Sequence, residues 1–328
     1  MRRARIIGTG MYVPPTLVTN EDIVNRLGKP LPEIIEKNLG IKQHYITGPD
    51  LSSVDLGVAA ARMAIANAGI LATDLDLVIV TTDTPEYISP PTAAVIQGLL
   101  GAVHAGTFDV NGACSGFAVS MDVASRMVGY DDTYQHVLVV GVYNMTKYAD
   151  QDNGFFAAVF ADGGGAVVLK ATTEDAGYLA SALWADGSYH DCFGIFGGGT
   201  KYPHTIERLE NKEQQLRMVK PYPADINTAN WPGLIHKALA KAKLKIMDID
   251  HIIFTQINRS TIEIVMAELG LPMDKTTCTM DRYGYTGSAC IPIALHHAVI
   301  EGKIQRGDIV VLLGSGVGAA MAVDVLKW

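Results

Sequence analysis

The sequence predicts an α/β fold built from two duplicated halves, and three self-matches in a common order carry that expectation. Residues Ala64–Thr81 overlay Ala238–Thr255 without a gap at a separation of 174 residues, and seven of the 18 positions are identical. The identities are Ala64/Ala238, Ala66/Ala240, Ala68/Ala242, Asp74/Asp248, Asp76/Asp250, Ile79/Ile253 and Thr81/Thr255. Thr107–Gly112 lies over Thr279–Gly284 at 172, and His136–Gly141 over Ile309–Gly314 at 173. Any α/β chain repeats helix–turn–strand units, but a nearly constant offset in one order favours duplication. The division falls at 172/173, so that residues 1–172 and 173–328 are each of domain size. A site between such halves draws groups from both.

Taken along the chain, Gly8-Thr9-Gly10 is followed by Met-Tyr-Val-Pro-Pro and not by a third glycine opening a helix, which excludes a dinucleotide fingerprint. Ser52–Asp55 reads as a capping box, starting a helix that runs to about Ala68 and stops at Gly69. A short polar turn and a buried strand follow, a pattern that recurs before Thr255. Phe117–Val128 is apolar at helical spacing and ends before Gly129. Gly163-Gly164-Gly165 precedes a strand and reads as a tight turn, with no Gly-Lys-Ser/Thr to make it a phosphate cradle. Ser188–Asn230 mixes glycine, proline and charge and reads as a loop or lid facing the substrate. Pro292–Val299 is a helix in which His296 and His297 are surface or packing residues, without partners at metal-ligand spacing.

With 328 residues, 48% hydrophobic and 18% charged, the chain buries a large core. A formal charge of −8 with scattered basic residues points away from nucleic acid and from anionic membrane faces. Cys114, Cys192, Cys278 and Cys290 lie far apart with no zinc spacing, and read as reduced thiols. No signal-peptide pattern and no run near the ~20 apolar residues of a membrane helix is found, so a cytoplasmic protein is expected.

Cys114 is the residue suited to chemistry. In Asp109–Phe117 small residues surround the sulfur just ahead of the predicted helix. A thiol there faces free backbone N–H groups and the positive end of the helix dipole, which is expected to lower its pKa. A soft nucleophile accepts an acyl group from a thioester with little change in bond energy and holds it for a second acceptor. Cys192, Cys278 and Cys290 have no such flanks. Gly112-Ala113-Cys114-Ser115-Gly116 also fits the nucleophile elbow of α/β-hydrolases, with His236, His251 and His296 as formal partners, although that fold carries no duplication.

Over essentially its whole length the chain resembles the ketoacyl-ACP synthase III branch of the thiolase superfamily. The resemblance rests on Asn111–Phe117 around the nucleophile, Phe160–Ala166 with its glycines, Ala185–Tyr189, Asp281–Thr286 and the closing Gly314-Ser315-Gly316. It implies a five-layered αβαβα thiolase fold, a homodimer, no resident cofactor, and ping-pong transfer from an acyl thioester of coenzyme A or acyl carrier protein. It also implies that Cys114 is the acylated nucleophile. Its amide and that of Ser315 would form the oxyanion hole, a device worth roughly 3 kcal/mol per donor.

Two positions depart from the family pattern. Thr255 stands where Pro-His-Gln-x-Asn has its histidine, and Tyr285 where His-Gly-Asn-Thr has its asparagine. Those side chains normally hold the enolate formed as a malonyl group loses carbon dioxide. Threonine is no base near neutral pH, and tyrosine is bulky with an ordinary pKa near 10, so inefficient decarboxylation is expected. Ile34, Asn38 and Asn153 replace the aromatic and basic residues set against the coenzyme A adenine, while Lys201, Arg208, Lys212, Arg217 and Lys220 offer a dock for an acidic carrier. The leading expectation is an acyltransferase of fatty acid or specialised, polyketide-like metabolism. A conventional decarboxylating synthase and a non-catalytic partner subunit are the alternatives.

Overall fold

The computed structural model describes residues 2–328. The first half runs through β1 (Arg3–Tyr12), β2 (Thr16–Thr19), α1 (Asn20–Leu27), β3 (Gln43–Ile46) and α2 (Ser53–Ala68). It continues with β4 (Leu77–Thr81), α3 (Thr92–Leu100), β5 (Gly106–Val110), α4 (Gly116–Tyr130), β6 (His136–Asn144), α5 (Gly154–Val159) and β7 (Asp162–Thr172). The second half has β8 (Gly177–Ala185), β9 (Phe193–Gly194), α6 (Ile206–Glu210), β10 (Arg217–Met218), α7 (Ile226–Ala242) and β11 (His251–Phe254). It closes with α8 (Arg259–Glu268), α9 (Met280–Tyr283), α10 (Cys290–Ile300), β12 (Ile309–Gly316) and β13 (Ala320–Lys327).

The two main sheets have the order β1-β7-β6-β4-β5 and β8-β13-β12-β11. Reading inward from β1 or from β8, each has two antiparallel joins followed by a parallel one, β6 to β4 and β12 to β11. The identical aspartates do the same work in both halves. Asp74 and Asp248 accept the amides of Leu71 and Lys245 at 2.8 and 2.7 Å, closing the polar turn before the strand. Asp76 accepts the His136 amide at 2.9 Å and Asp250 that of Ile309 at 2.8 Å, each fixing the start of the neighbouring parallel strand.

The match of Thr107–Gly112 to Thr279–Gly284 does not survive as structure: the first is mostly β5, the second is α9, and only an Ile252–Thr276 bridge remains beside β11. The second sheet therefore has four strands.

Helices α2 and α3 cover the outer face of the first sheet, α7 packs on β8 and β13, and α4 and α10 lie between the sheets, which gives the five αβαβα layers. A helix between two sheets must be apolar all round, and α10 buries Cys290 through Ala298 without interruption. His296 and His297 are thus packing residues, the former with Nδ1 2.9 Å from the Thr9 hydroxyl.

Several sequence readings are corrected here. Gly163–Gly165 form no turn but lie inside β7, between helices on both faces. A Cβ on Gly164 would lie 2.4 Å from the Leu56 carbonyl oxygen, and one on Gly165 2.7 Å from the Pro292 ring. Gly129 does not end α4, which runs on to Tyr130 and caps at Asp131. Residues 188–230 are not wholly irregular; they hold the β9–β10 pair, α6 and the first turn of α7. The helix from Ser53 to Ala68, boxed by Ser52 and Asp55 and ended by left-handed Gly69, is as expected. Among the described residues no helix is long and apolar enough to cross a membrane.

Candidate active site

Cys114 sits in the turn that joins β5 to α4, at the C-terminal ends of the parallel strands, where open α/β sheets place their ligands. The turn is tight. Ala113 has φ 46°, in the left-handed region, and the Asn111 side chain accepts the Ala113 amide at 3.1 Å. The Ser115 hydroxyl donates to the Gly112 carbonyl at 2.7 Å. The end of β12 presses on this turn from the other half: a Cβ on Gly316 would lie 2.8 Å from the Cys114 nitrogen. Only glycine lets the two backbones approach so closely.

The sulfur keeps little contact with solvent, at 6% exposure for the residue. Its position ahead of α4 is as expected, but the expected lowering of its pKa is not found. Burial, reinforced by the nearby Asp83 carboxylate, pushes the thiol well above its ordinary value, and the Tyr285 hydroxyl opposes that rise only in part. A group that loses this much hydration favours its neutral form whatever the local backbone offers. Attack on a thioester therefore has to be coupled to removal of the thiol proton.

Tyr285 comes from the second half. Its backbone is held by an amide donating to the Val159 carbonyl at 2.9 Å and a carbonyl accepting the Ala161 amide at 3.0 Å. Its ring packs 6.0 Å from both Tyr143 and Phe160. Burial and the neighbouring Cys114 hold its phenol neutral, well above the ordinary value. Cys290, at the start of α10, is also close enough to act on the Cys114 thiol, and burial pushes its own pKa up to about 12.

Thr255 is 1% exposed, and its Oγ1 accepts the Ser315 amide at 2.8 Å. The amide expected to face an oxyanion is thus engaged by the Thr255 hydroxyl. The Ser315 hydroxyl donates to Asn227 at 2.7 Å. Gln256 bonds the Phe254 and Thr277 carbonyls and accepts the Thr279 amide, and Asn258 caps α8, so both have structural work. None of the described groups that shift the Cys114 thiol most is a histidine. His251 bonds the Thr277 hydroxyl at 2.9 Å and His296 bonds Thr9, which removes the elbow reading together with its topology.

Asn153 caps α5 through Phe155 and Phe156, and it lines a surface groove of about 760 Å³ with Phe156, Lys212 and Arg217. Ile34 is exposed, and the Asn38 carbonyl accepts the Ser260 hydroxyl at 3.1 Å. Much of the basic set is already paired: Lys220 with Asp191, Arg208 with Glu213 at 3.6 Å, and Arg217 with the Asn211 carbonyl. Lys201 lies over the Tyr202 ring. Asp83 and Tyr143 were missed by sequence reading; an acid just beyond the C-terminal end of a buried parallel strand was the available signal.

Residues 108–187 match the family described as 3-oxoacyl-[acyl-carrier-protein (ACP)] synthase III, and residues 239–328 match its C-terminal part. A beta-ketoacyl-[acyl-carrier-protein] synthase III of Synechocystis sp. is 36% identical over 326 residues, covering 99% of this chain and 98% of that protein. The Aquifex aeolicus 3-oxoacyl-[acyl-carrier-protein] synthase III structure superposes with TM-score 0.89 at 28% identity, covering 99% of this chain and all of that one. The priming beta-ketosynthase of the R1128 polyketide pathway gives 0.88 at 27%, covering 98% of this chain and 96% of that one. Nearly full-length identity above a third, together with the duplicated sheets, puts this chain in the 3-oxoacyl-ACP synthase III family of the thiolase superfamily.

Proposed function

We propose that the chain is a ping-pong acyltransferase that carries its acyl group on Cys114 and transfers it without efficient malonyl decarboxylation. Family membership supports the acyl transfer. What supports the finer reading is the sequence comparison that sets Thr255 and Tyr285 against the histidine and asparagine of the family pattern.

In the first half-reaction the Cys114 sulfur attacks the carbonyl carbon of an acyl thioester and loses its proton. The donor's C–S bond breaks and its thiolate leaves protonated. The Cys114 amide stands at the start of α4 to stabilise the oxyanion. The Ser315 amide joins it once the Thr255 hydroxyl gives way. The Tyr285 O–H, neutral and beside the sulfur, favours the thiolate as it forms. In the second half-reaction an acceptor attacks the acyl carbon and the Cys114 thiol is regenerated.

The donor is an acyl group on acyl carrier protein or coenzyme A, and the setting is fatty acid or specialised metabolism in the cytoplasm. Homodimerisation is part of the same reading. β5 is an edge of the first sheet, and Tyr87, Ile88, Leu99 and Val103, in the segment that leads through α3 to it, are exposed apolar residues suited to a covered face.

Carbon dioxide release from malonyl-carrier by the acylated protein tests the reading. Acylation with little release is expected. Release at the rate of a conventional synthase, abolished by Tyr285→Phe, would establish the decarboxylating alternative instead, with the Tyr285 hydroxyl in place of the asparagine amide. Transfer activity that survives Cys114→Ala would point to a partner subunit.

A further inference from the structure

Three carboxylates lie around the ends of β4, β5 and β6, and two are fully engaged. Asp109 accepts the Thr92 and Ala93 amides, both at 2.7 Å. Asp162 accepts the Thr47 amide and hydroxyl at 2.8 and 2.9 Å and the Thr146 amide at 3.0 Å. Asp83, just beyond β4, is different. Its residue is partly accessible, yet its Oδ1 is enclosed and accepts no well-formed hydrogen bond among the described residues, the residue's own amide being the one donor that acts on the carboxylate.

The backbone that aims it is rigid. The Thr84 amide donates to the Thr82 hydroxyl at 3.0 Å, the Asn144 amide donates to the Thr84 hydroxyl at 2.9 Å, and the Ser53 hydroxyl donates to the Thr84 carbonyl at 2.6 Å. The carboxylate is near enough to raise the pKa of Cys114, of Tyr143 on β6 and of Tyr148 just past it. Glu86 on the same loop also acts on Tyr148, and no cation among the described residues lowers the Asp83 pKa. The groups facing it are thus neutral or anionic.

A carboxylate oxygen enclosed without a donor is costly to a fold, and near a nucleophile that must lose its proton it has an evident use. Malonyl decarboxylation forms its carbanion without proton removal, and a second carboxylate beside the sulfur repels the malonyl carboxylate. An alcohol or amine acceptor, by contrast, needs a base and carries no negative charge.

We propose that Asp83 is the catalytic base of the second half-reaction and that the acceptor is a neutral O–H or N–H compound. The acceptor heteroatom forms a bond to the acyl carbon while the C–S bond to Cys114 breaks. Its proton passes to the Asp83 carboxylate and from there to the Cys114 sulfur. This rests on the acyl-Cys114 reading and adds the acceptor class to it.

The test starts from protein acylated on Cys114, freed of donor, and offered benzyl alcohol, aniline or malonyl-coenzyme A, with loss of acyl mass followed in time. Burial sets the Asp83 pKa at about 6, so discharge to the alcohol or amine should rise with pH through that region and level off. Asp83→Asn should remove this limb and slow discharge on the order of 100-fold, and Asp83→Glu should restore part of both. Equal rates and an unchanged pH profile in Asp83→Asn, or preference for malonyl-coenzyme A, would overturn the proposal. Should Asp83→Asn fail to fold, a Glu variant with an unmoved midpoint would overturn it and a moved one support it. Wild-type protein that never takes up an acyl group removes the underlying acyl-enzyme reading itself.

Discussion

Replacing Thr255 by valine keeps a β-branched side chain of nearly the same size and deletes one atom with one identifiable partner. Oγ1 is the acceptor of the buried Ser315 amide at 2.8 Å, whereas its own contacts to the Leu313 and Ser315 carbonyls, both at 3.5 Å, are too long to contribute much. The loss is therefore that of a buried N–H left without an acceptor, about 1–3 kcal/mol. Denaturant unfolding of wild type, Thr255→Val and Thr255→Ser measures it, with the serine variant expected to stay within about 1 kcal/mol because it keeps the oxygen. Acylation of Cys114 should not fall in the valine variant, since the released amide is free to meet the oxyanion. A valine variant as stable as wild type, or one that folds normally and acylates more than tenfold slower, would refute this assignment of Thr255.

Tyr285→Phe removes the larger of the two hydrogen bonds that favour the Cys114 thiolate against burial and Asp83, so the pH midpoint for alkylation of Cys114 by iodoacetamide should move upward; an unmoved midpoint contradicts the contact. Asp324 is fully buried on β13 with neither oxygen hydrogen-bonded among the described residues, and burial raises its pKa well above the carboxylate range. Because the native state holds this proton more tightly than the unfolded chain, its favourable contribution is complete below the unfolded carboxylate pKa and is lost as pH rises toward the native one. Asp324→Asn should then gain stability relative to wild type in denaturant unfolding at pH 8 and gain less at pH 5. A variant less stable than wild type at both would contradict it.

The duplication was legible because it lies in residues that do identical jobs: Asp74 and Asp248 close the same turn, and Asp76 and Asp250 pin the same neighbouring strand. The place of Cys114 ahead of α4 was legible because small residues ahead of a helix are a local pattern. What escaped depends on contacts across the fold. Helix-dipole reasoning sees only the chain beside the sulfur, while its pKa is dominated by burial and by Asp83, 31 positions upstream. The glycines of β7 read as a turn because glycine is common in turns; their actual reason is the approach of Leu56 and Pro292 from opposite sides. The engagement of the Ser315 amide by Thr255 joins residues 60 apart and has no sequence signature.

The most direct measurement is peptide mapping by mass spectrometry after incubation with short, long and carrier-bound acyl thioesters. One acyl group, on the peptide containing Cys114 and absent in Cys114→Ala, is the predicted result. Protein that stays unmodified with every donor, or that carries the group on Cys192, Cys278 or Cys290, would contradict an acyl-enzyme at the head of α4.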